Sequence, residues 1–264
     1  QLYSNVTEVD ERLGHDGSVV RSLDESALRK DLKEIMNSGI SSLAIVLMHS
    51  WKNGIHESRV GDIALEMGFN QISVSHKIMP LIKIVGRGQT TVVDAYLSPV
   101  LFEYIQSVEK ETGSIPLDFM QSSGGMTDAH NFRGKDAIMS GPAGGVIGAA
   151  AVAELNGIGE AIGFDMGGTS TDVSRYGGEF EKVVEMETAG IHFQTPSLKI
   201  NTVAAGGGSI LWFDGQKMRV GPESAGADPG PVCYGKSGQL ALTDANLLLG
   251  RLVPEFFPKA FGKT

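Results

Sequence analysis

The sequence predicts an α/β protein, and two patterns carry that prediction. Apolar residues at helical spacing alternate with short apolar runs through residues 25–75. Further on, runs of strand character deliver the chain into glycine turns. Helix and strand alternating in this way is the order in which helices come to cover a sheet. At 264 residues the chain can fill one large domain or two modest ones.

Taken in order, Leu28, Leu32, Ile35 and Met36 recur at helical spacing between Glu25 and Asn37, and Gly39 supplies a stop. SLAIVLMHSW, Ser42 to Trp51, reads as a buried strand. A second helix is expected over Glu57 to Met67, closed by Gly68, with a strand over QISVS, Gln71 to Ser75. A longer helix is expected from about Thr90 to Thr112, kinked or interrupted at Pro99, because proline removes an N–H and crowds the preceding turn. LDFMQSSGG, Leu117 to Gly125, reads as a strand running into a glycine turn, and AIMSGPAGG, Ala137 to Gly145, as a repeat of that arrangement. GVIGAAAVAELNG, Gly144 to Gly157, is expected to be a helix with a small-residue face, and AIGFDMGG, Ala161 to Gly168, the next strand. TDVSRYG and the alternating segments around Phe180 to Val184 and His192 to Phe193 predict strands joined by tight turns. The βα units thus give way to a hairpin-like meander.

Composition narrows the function. Hydrophobic residues make up 41% and charged residues 20%, which argues against disorder. A formal net charge of -9 disfavours nucleic-acid backbones and anionic membranes, so neither partner is expected. Cys233 is the single cysteine, which excludes an intrachain disulfide or a cysteine-rich zinc site and suits a reducing, cytoplasmic location. No apolar run reaches the roughly 18 residues of a membrane span, and QLYSNVTEVDER is not a signal peptide. A start on Gln1 and an end on FGKT after an aromatic-rich segment suggest a piece of a longer polypeptide.

Two segments invite a phosphate. GPVCYGKS, Gly230 to Ser237, matches the phosphate-loop pattern G-x-x-x-x-G-K-[ST], but its flanks argue against that role. Pro229 and Pro231 have no N–H to donate, GPESAGADP precedes it instead of a buried strand, and QLALTD after it reads as a strand instead of a helix. Lys236 then reads as a solvated turn residue. FDMGGTSTDVS, Phe164 to Ser174, has a more complete chemistry. A strand delivers Asp165 to its end, and Gly167 and Gly168 let backbone N–H groups approach phosphate oxygens. Thr169, Ser170 and Thr171 add hydroxyls, and Asp172 supplies a second carboxylate. Paired carboxylates suit hydrated magnesium, which would offset phosphoryl charge. The same residues also read as a glycine hairpin whose aspartates cap turns and whose hydroxyls satisfy local backbone.

GVIGAAAVAELNG, AIGFDMGG and TDVSRYG in succession resemble the second phosphate loop of the actin, sugar-kinase and heat-shock-chaperone ATPase superfamily, in which two ribonuclease-H-like domains close around ATP. More closely, SGPAGGVIGA, FDMGGTSTDVS, NTVAAGGGS, VGPESAGADPGPVCYG and LTDANLLLGRL, spanning about Ser140 to Leu252, resemble the hydantoinase A and 5-oxoprolinase family in family order. RGQTTVVDAYLSPVL and MQSSGG upstream resemble it too. SRYGGEFE, INTVAAGGGS and FFPKAFG look most like its 5-oxoprolinase branch.

That resemblance implies ATP-dependent opening of 5-oxoproline to glutamate, with ADP and phosphate released. Phosphorylating the lactam oxygen would turn a poor electrophile into an activated, imidate-like centre that water can attack. The implied cofactors are ATP and magnesium. Asp165, Gly167, Gly168, Thr169, Ser170 and Asp172 are the matched phosphate and metal candidates, with Asp165 and Asp172 on the metal. Gly206, Gly207, Gly208 and Ser209 form a second candidate loop, which reads equally as a structural turn. Gln121, Ser122, Ser123, Gly124 and Gly125, and Arg87 with Gln89, are weaker candidates whose bland readings are ordinary turn chemistry and an exposed helix start.

The implied partners are a small cyclic amide and a hydantoinase B-like half or subunit, with a homo-oligomer left open. No second Asp-x-Gly-Gly-Thr loop occurs in this sequence, although the family begins with one. Residues 1–114 are therefore expected to be the later part of an N-terminal domain with connecting elements, and residues 115–264 a second, truncated ATPase domain. The chain on its own is expected to have little or no activity.

Other chemistries find little support. His15, His49, His56, His76, His130 and His192 show no paired metal-ligand spacing, and neither a G-x-S-x-G elbow nor a G-x-G-x-x-G fingerprint occurs. Cys233 has no basic partner in the sequence and reads as an inert thiol. The open alternatives are a hydantoin hydrolase or related carboxylase subunit, and a nucleotide-binding switch module on the same fold.

Overall fold

The computed structural model describes residues 2–188 and 190–256. It is a mixed α/β structure in two compact units, one running to Gly144 and including Lys182–Leu198, the other taking Gly145–Glu181 and the described residues from Lys199 on. No helix among the described residues is long and apolar enough to cross a membrane.

The first unit opens with a short antiparallel pair, β1 (Arg12–Leu13) and β2 (Val19–Arg21). Helix α1 (Glu25–Asn37) begins where the Asp24 carboxylate accepts the amides of Ser26 and Ala27, both at 3.0 Å. Strand β3 (Ser42–Ile45), helix α2 (Ile55–Met67) and parallel strand β4 (Gln71–Val74) complete a βαβ unit, with Ser42 opposite Gln71 and Ile45 opposite Val74. Leu28, Leu32, Ile45, Val60, Ile63 and Phe69 bury its core.

Strand β3 is shorter than the expected Ser42 to Trp51. The Leu47 amide donates to the buried Glu57 carboxylate at 2.7 Å instead of to a strand, and His49 turns the chain at φ 62°. A single turn, α3 (Ser75–Ile78), follows β4 directly.

Helix α4 (Ile84–Thr112) continues through Pro99, so of the kink or interruption expected there the interruption does not occur. Proline at position 99 leaves the Ala95 carbonyl without its helical donor. The Ser42 hydroxyl supplies one at 2.6 Å, and the helix passes without interruption.

Strands β5 (Asp118–Met120) and β6 (Met126–Asp128) form the hairpin that LDFMQSSGG anticipates, closed by the Gln121 amide on the Gly125 carbonyl at 2.7 Å. AIMSGPAGG does not repeat that arrangement. It enters one turn, α5 (Gly134–Ala137), and then α6 (Ser140–Leu155). Proline needs no N–H partner in a first helical turn, so Pro142 is compatible with a helix starting at Ser140. The buried Ser122 hydroxyl donates to the Asp136 carbonyl and accepts the Met139 amide, fixing that entry.

The second unit carries the last part of α6 against strands β7 (Ala161–Met166) and β8 (Thr171–Tyr176). Gly163 makes room there: a Cβ on it would stand 3.8 Å from that of Ala149 and only 2.5 Å from the Ser174 hydroxyl. Strands β9 (Lys182–Thr188) and β10 (Ile191–Leu198) form a hairpin of the first unit, where the Gln194 amide donates to Thr90 of α4 at 2.8 Å. Strand β11 (Asn201–Val203) returns to the second unit and gives an antiparallel sheet in the order β11-β8-β7.

The hairpin of β12 (Ser209–Phe213) and β13 (Met218–Ser224) follows, then helix α7 (Leu242–Leu248). QLALTD is therefore not the expected strand. Gln239 and Ala241 make only single bridges, to Pro231 and Ile210, and the chain turns helical once the Asp244 carboxylate accepts the Ala241 amide at 2.7 Å. Most of FFPKAFG lies outside the described residues.

Candidate functional site

The hairpin β7–β8 sets Asp165 directly across from Asp172. Residues opposite one another on antiparallel strands project to the same face, so the two carboxylates are neighbours. Asp165 is exposed and Asp172 half-buried, and neither has an ion pair among the described residues. The Thr202 hydroxyl on β11 donates to Asp172 Oδ1 at 2.6 Å and fixes that carboxylate. A Cβ on Gly145 of α6 would stand 3.5 Å from Asp165 Oδ2, so the helix passes close to it. Two uncompensated like charges opposite one another repel. A divalent cation that takes one or two carboxylates and keeps several waters suits such a pair.

Between the strands, the Gly167 amide donates to the Ser170 carbonyl at 2.9 Å, leaving Gly168 and Thr169 exposed at the tip. Beneath them lies the second glycine loop. The Gly207 amide donates to the Gly167 carbonyl at 2.9 Å, and the Gly208 amide to the Gly168 carbonyl at 2.7 Å. In a trans peptide the C=O and the following N–H point in opposite directions. With both carbonyls tied down, the amides of Gly168 and Thr169 point away from those anchors. Neither makes a hydrogen bond within the described residues. Two adjacent amide donors on an exposed turn form a concavity of the kind that binds anions.

The two glycine clusters differ in why they need glycine. A Cβ on Gly206 would lie 2.6 Å from the Gly168 carbonyl carbon, and one on Gly208 would lie 2.9 Å from its oxygen. Gly206 to Gly208 are thus required for packing, and their amides are all used inside the protein, that of Gly206 by the Ser209 hydroxyl at 2.9 Å. A Cβ on Gly168 would meet nothing within 4 Å.

The weaker candidates lie in the first unit. Arg87 is fully buried instead of exposed, donating to the Ser75 hydroxyl at 2.8 Å and to the carbonyls of Leu47 and Leu81 at 2.7 and 2.6 Å. Burial lowers its pKa, against the attraction of Glu57. Gln89 is exposed on α4. Gln121 to Gly125 form the β5–β6 turn, with Ser122 buried beneath it.

Sequence reading missed Thr202, Thr243 and Asp244. Thr243 donates both its amide and its hydroxyl to the Gly207 carbonyl, at 2.7 and 2.8 Å. The Asp244 carboxylate accepts the amides of Val232 at 3.2 Å, Cys233 at 2.7 Å and Ala241 at 2.7 Å. Donors of GPVCYGKS that a phosphate loop would offer to a ligand are therefore turned onto a side chain of the protein. Burial works to raise the Asp244 carboxyl, but the hydrogen bonds from Ala241, Cys233 and Val232 outweigh it and hold the group below its ordinary value. Burial, then the hydrogen bond and charge of Asp244, push the Cys233 thiol up to about 11, so it is protonated and unreactive at neutral pH. An acidic residue in the first turn of a helix was the available signal for Asp244.

Comparison with known proteins bears on this geometry. Residues 87–264 match the family described as Hydantoinase/oxoprolinase, and residues 1–68 its N-terminal region. The chain is 48% identical over 285 residues to 5-oxoprolinase 1 of Arabidopsis thaliana, covering 99% of this chain and 22% of that protein. It is 47% identical over 293 residues to 5-oxoprolinase of Saccharomyces cerevisiae, covering 99% and 23%. The crystal structure of ATP-dependent caprolactamase from Pseudomonas jessenii superposes with a TM-score of 0.75 at 35% identity, covering 93% of this chain and 37% of that one. The chain thus spans less than a quarter of the length of these two curated relatives.

Proposed function

The chain belongs to the hydantoinase/oxoprolinase family, and from that premise we propose that it is the nucleotide-handling part of a longer enzyme that opens a cyclic amide with ATP. The substrate we assign is 5-oxo-L-proline, converted to L-glutamate with release of ADP and phosphate. One observation carries the reading: the amides of Gly168 and Thr169, without a hydrogen-bond partner among the described residues, lie at the tip of the hairpin whose strands bear the opposed Asp165 and Asp172.

On this reading phosphate oxygens accept hydrogen bonds from those two amides and from the hydroxyls of Thr169 and Ser170. Gly167 closes the turn, and Gly206 to Gly208 back the loop so that its donors stay aimed before the nucleotide arrives. Asp165 and Asp172 would hold magnesium, with Thr202 steadying Asp172. When bound, the metal offsets negative charge on the transferring phosphoryl group.

The antiparallel β11-β8-β7 sheet with α6 on one face supports a ribonuclease-H-like, actin-like ATPase domain. Residues 1–114 would then supply the later part of a preceding domain and residues 115–264 the second ATPase domain. The remaining polypeptide, including a hydantoinase B-like half or subunit, would complete the pocket for the amide in a cytoplasmic enzyme.

ADP release by the full-length polypeptide, assayed with 5-oxoproline, with a hydantoin and with no added substrate, tests the proposal. Release dependent on 5-oxoproline is expected. Release that depends only on the hydantoin overturns the substrate, and release indifferent to both overturns the cyclic-amide reading. The 264-residue chain alone is expected to stay at background in the same assay.

A further inference from the structure

Thr243 and Asp244, at the start of α7, tie the GPVCYGKS segment to the glycine loops. Thr243 grips the Gly207 carbonyl twice, through its amide at 2.7 Å and its hydroxyl at 2.8 Å. The Gly207 amide, one peptide group earlier, holds the Gly167 carbonyl at 2.9 Å, and the Gly208 amide, in the same peptide as the gripped carbonyl, holds the Gly168 carbonyl at 2.7 Å. Since the C=O and N–H of a trans peptide are antiparallel, fixing the Gly207 carbonyl fixes the direction of the Gly208 amide. That amide in turn orients the Gly168 carbonyl, and so the Thr169 amide at the loop tip.

The neighbouring residue anchors the brace from the other side. Asp244 gathers the amides of Val232, Cys233 and Ala241 and so holds the Gly230 to Ser237 segment against the base of α7. Thr243 is thereby presented from a fixed support.

We propose that Thr243 is a positioning residue for the phosphate-binding loop, acting through Gly207 and Gly208 to keep the Thr169 amide aimed at the nucleotide. This rests on the nucleotide site proposed above. It also gives GPVCYGKS a role, as the buttress of a phosphate loop elsewhere in the sequence.

The test is steady-state kinetics and ATP binding in the full-length polypeptide carrying Thr243→Val, which keeps shape and backbone amide but deletes the hydroxyl, and Thr243→Ser, which restores it. Loss of one aimed hydrogen bond predicts a rise of about five- to tenfold in the KM and Kd for ATP. The KM for the cyclic amide should hold, and Thr243→Ser should return to within about twofold of wild type on the same scale. A purely structural threonine would instead lower the melting temperature or the active fraction and leave the KM for ATP unmoved.

Gly207→Ala offers a second route should Thr243→Val fail to fold. Its Cβ would stand 2.8 Å from the Thr243 hydroxyl oxygen and turn that side chain off the carbonyl, with the same expected rise. Unchanged ATP affinity in the folded variant, with wild type binding ATP, overturns the role of Thr243 and leaves the site standing. Absence of ATP binding in the wild type overturns the site itself and the brace with it.

Discussion

Leu28, Leu32, Ile45, Val60, Ile63 and Phe69 close a core of large apolar side chains in the first unit, whereas the buried apolar residues of the second are mostly alanines: Ala150, Ala153, Ala225 and Ala241, with Val146 and Tyr176. Several large side chains of the second unit are exposed. On β7, Ile162 is 75% exposed and Phe164 68%, on the face opposite the one that Gly163 presents to α6. What ties this unit together around the candidate site is backbone: the amides of Gly207 and Gly208 on the carbonyls of Gly167 and Gly168, and the Ala225 amide on the Gly208 carbonyl at 2.7 Å. Apolar packing dominates the first unit, and backbone hydrogen bonding organises the glycine loops of the second. Apolar burial is non-directional and tolerates shifts, while stacked glycine turns fix direction and leave amides aimed outward.

The comparison can be broken most directly in the cores. Ile63→Ala, at a fully buried position, is expected to cost about 2–5 kcal/mol in chemical denaturation. Phe164→Ala is expected to stay within about 0.5 kcal/mol, despite losing the larger side chain. Equal losses at the two positions would mean that the second unit has a core after all.

The glycines sharpen the same contrast within one loop. Gly206→Ala must displace the Gly168 peptide and is expected to cost about 1–3 kcal/mol. Gly168→Ala meets open space, so the thermal midpoint should hold while nucleotide affinity, read by calorimetry on the full-length polypeptide, falls. A Gly168→Ala protein with wild-type affinity would show that no ligand approaches that peptide.

The smallest effect concerns the buttress. Cys233, raised from 9.0 to about 11, should resist alkylation at pH 8 and react faster as pH rises through about 11. Its folded value lies above the unfolded one, so its contribution to stability is complete below pH 9.0 and is lost as pH rises through about 11. Asp244 runs the other way. Its lowered value makes its contribution complete above the unfolded value of 3.8 and lost as pH falls through the folded one. Rapid modification of Cys233 at pH 8 would show that Asp244 does not hold that loop closed.

Helices α1 and α2, the strand over Gln71 to Val74 and the hairpin carrying Asp165 and Asp172 were legible in the residues alone. Their signals are local: apolar spacing, a stop glycine, and glycines after a run of strand character. The family was legible for a related reason, since five separated segments had to occur in one order. What the residues could not disclose was decided by groups far apart in the chain. Pro99 breaks a helix in isolation, but here the hydroxyl of Ser42 takes up the carbonyl it orphans. Arg87 looked like a surface cation until Ser75 and two carbonyls enclosed it.

The clearest division runs through the glycines. Residue type alone lets the backbone at Gly167 to Gly168 and at Gly206 to Gly208 approach other groups closely, because a residue without a Cβ has no steric bar to it. Tertiary contacts turn one cluster onto the protein and leave the tip of the other exposed. Hydrogen bonds from Gly207, Gly208 and Thr243 spend one set of amides on carbonyls within the fold and, through the antiparallel geometry of the peptide, turn the amides of Gly168 and Thr169 outward.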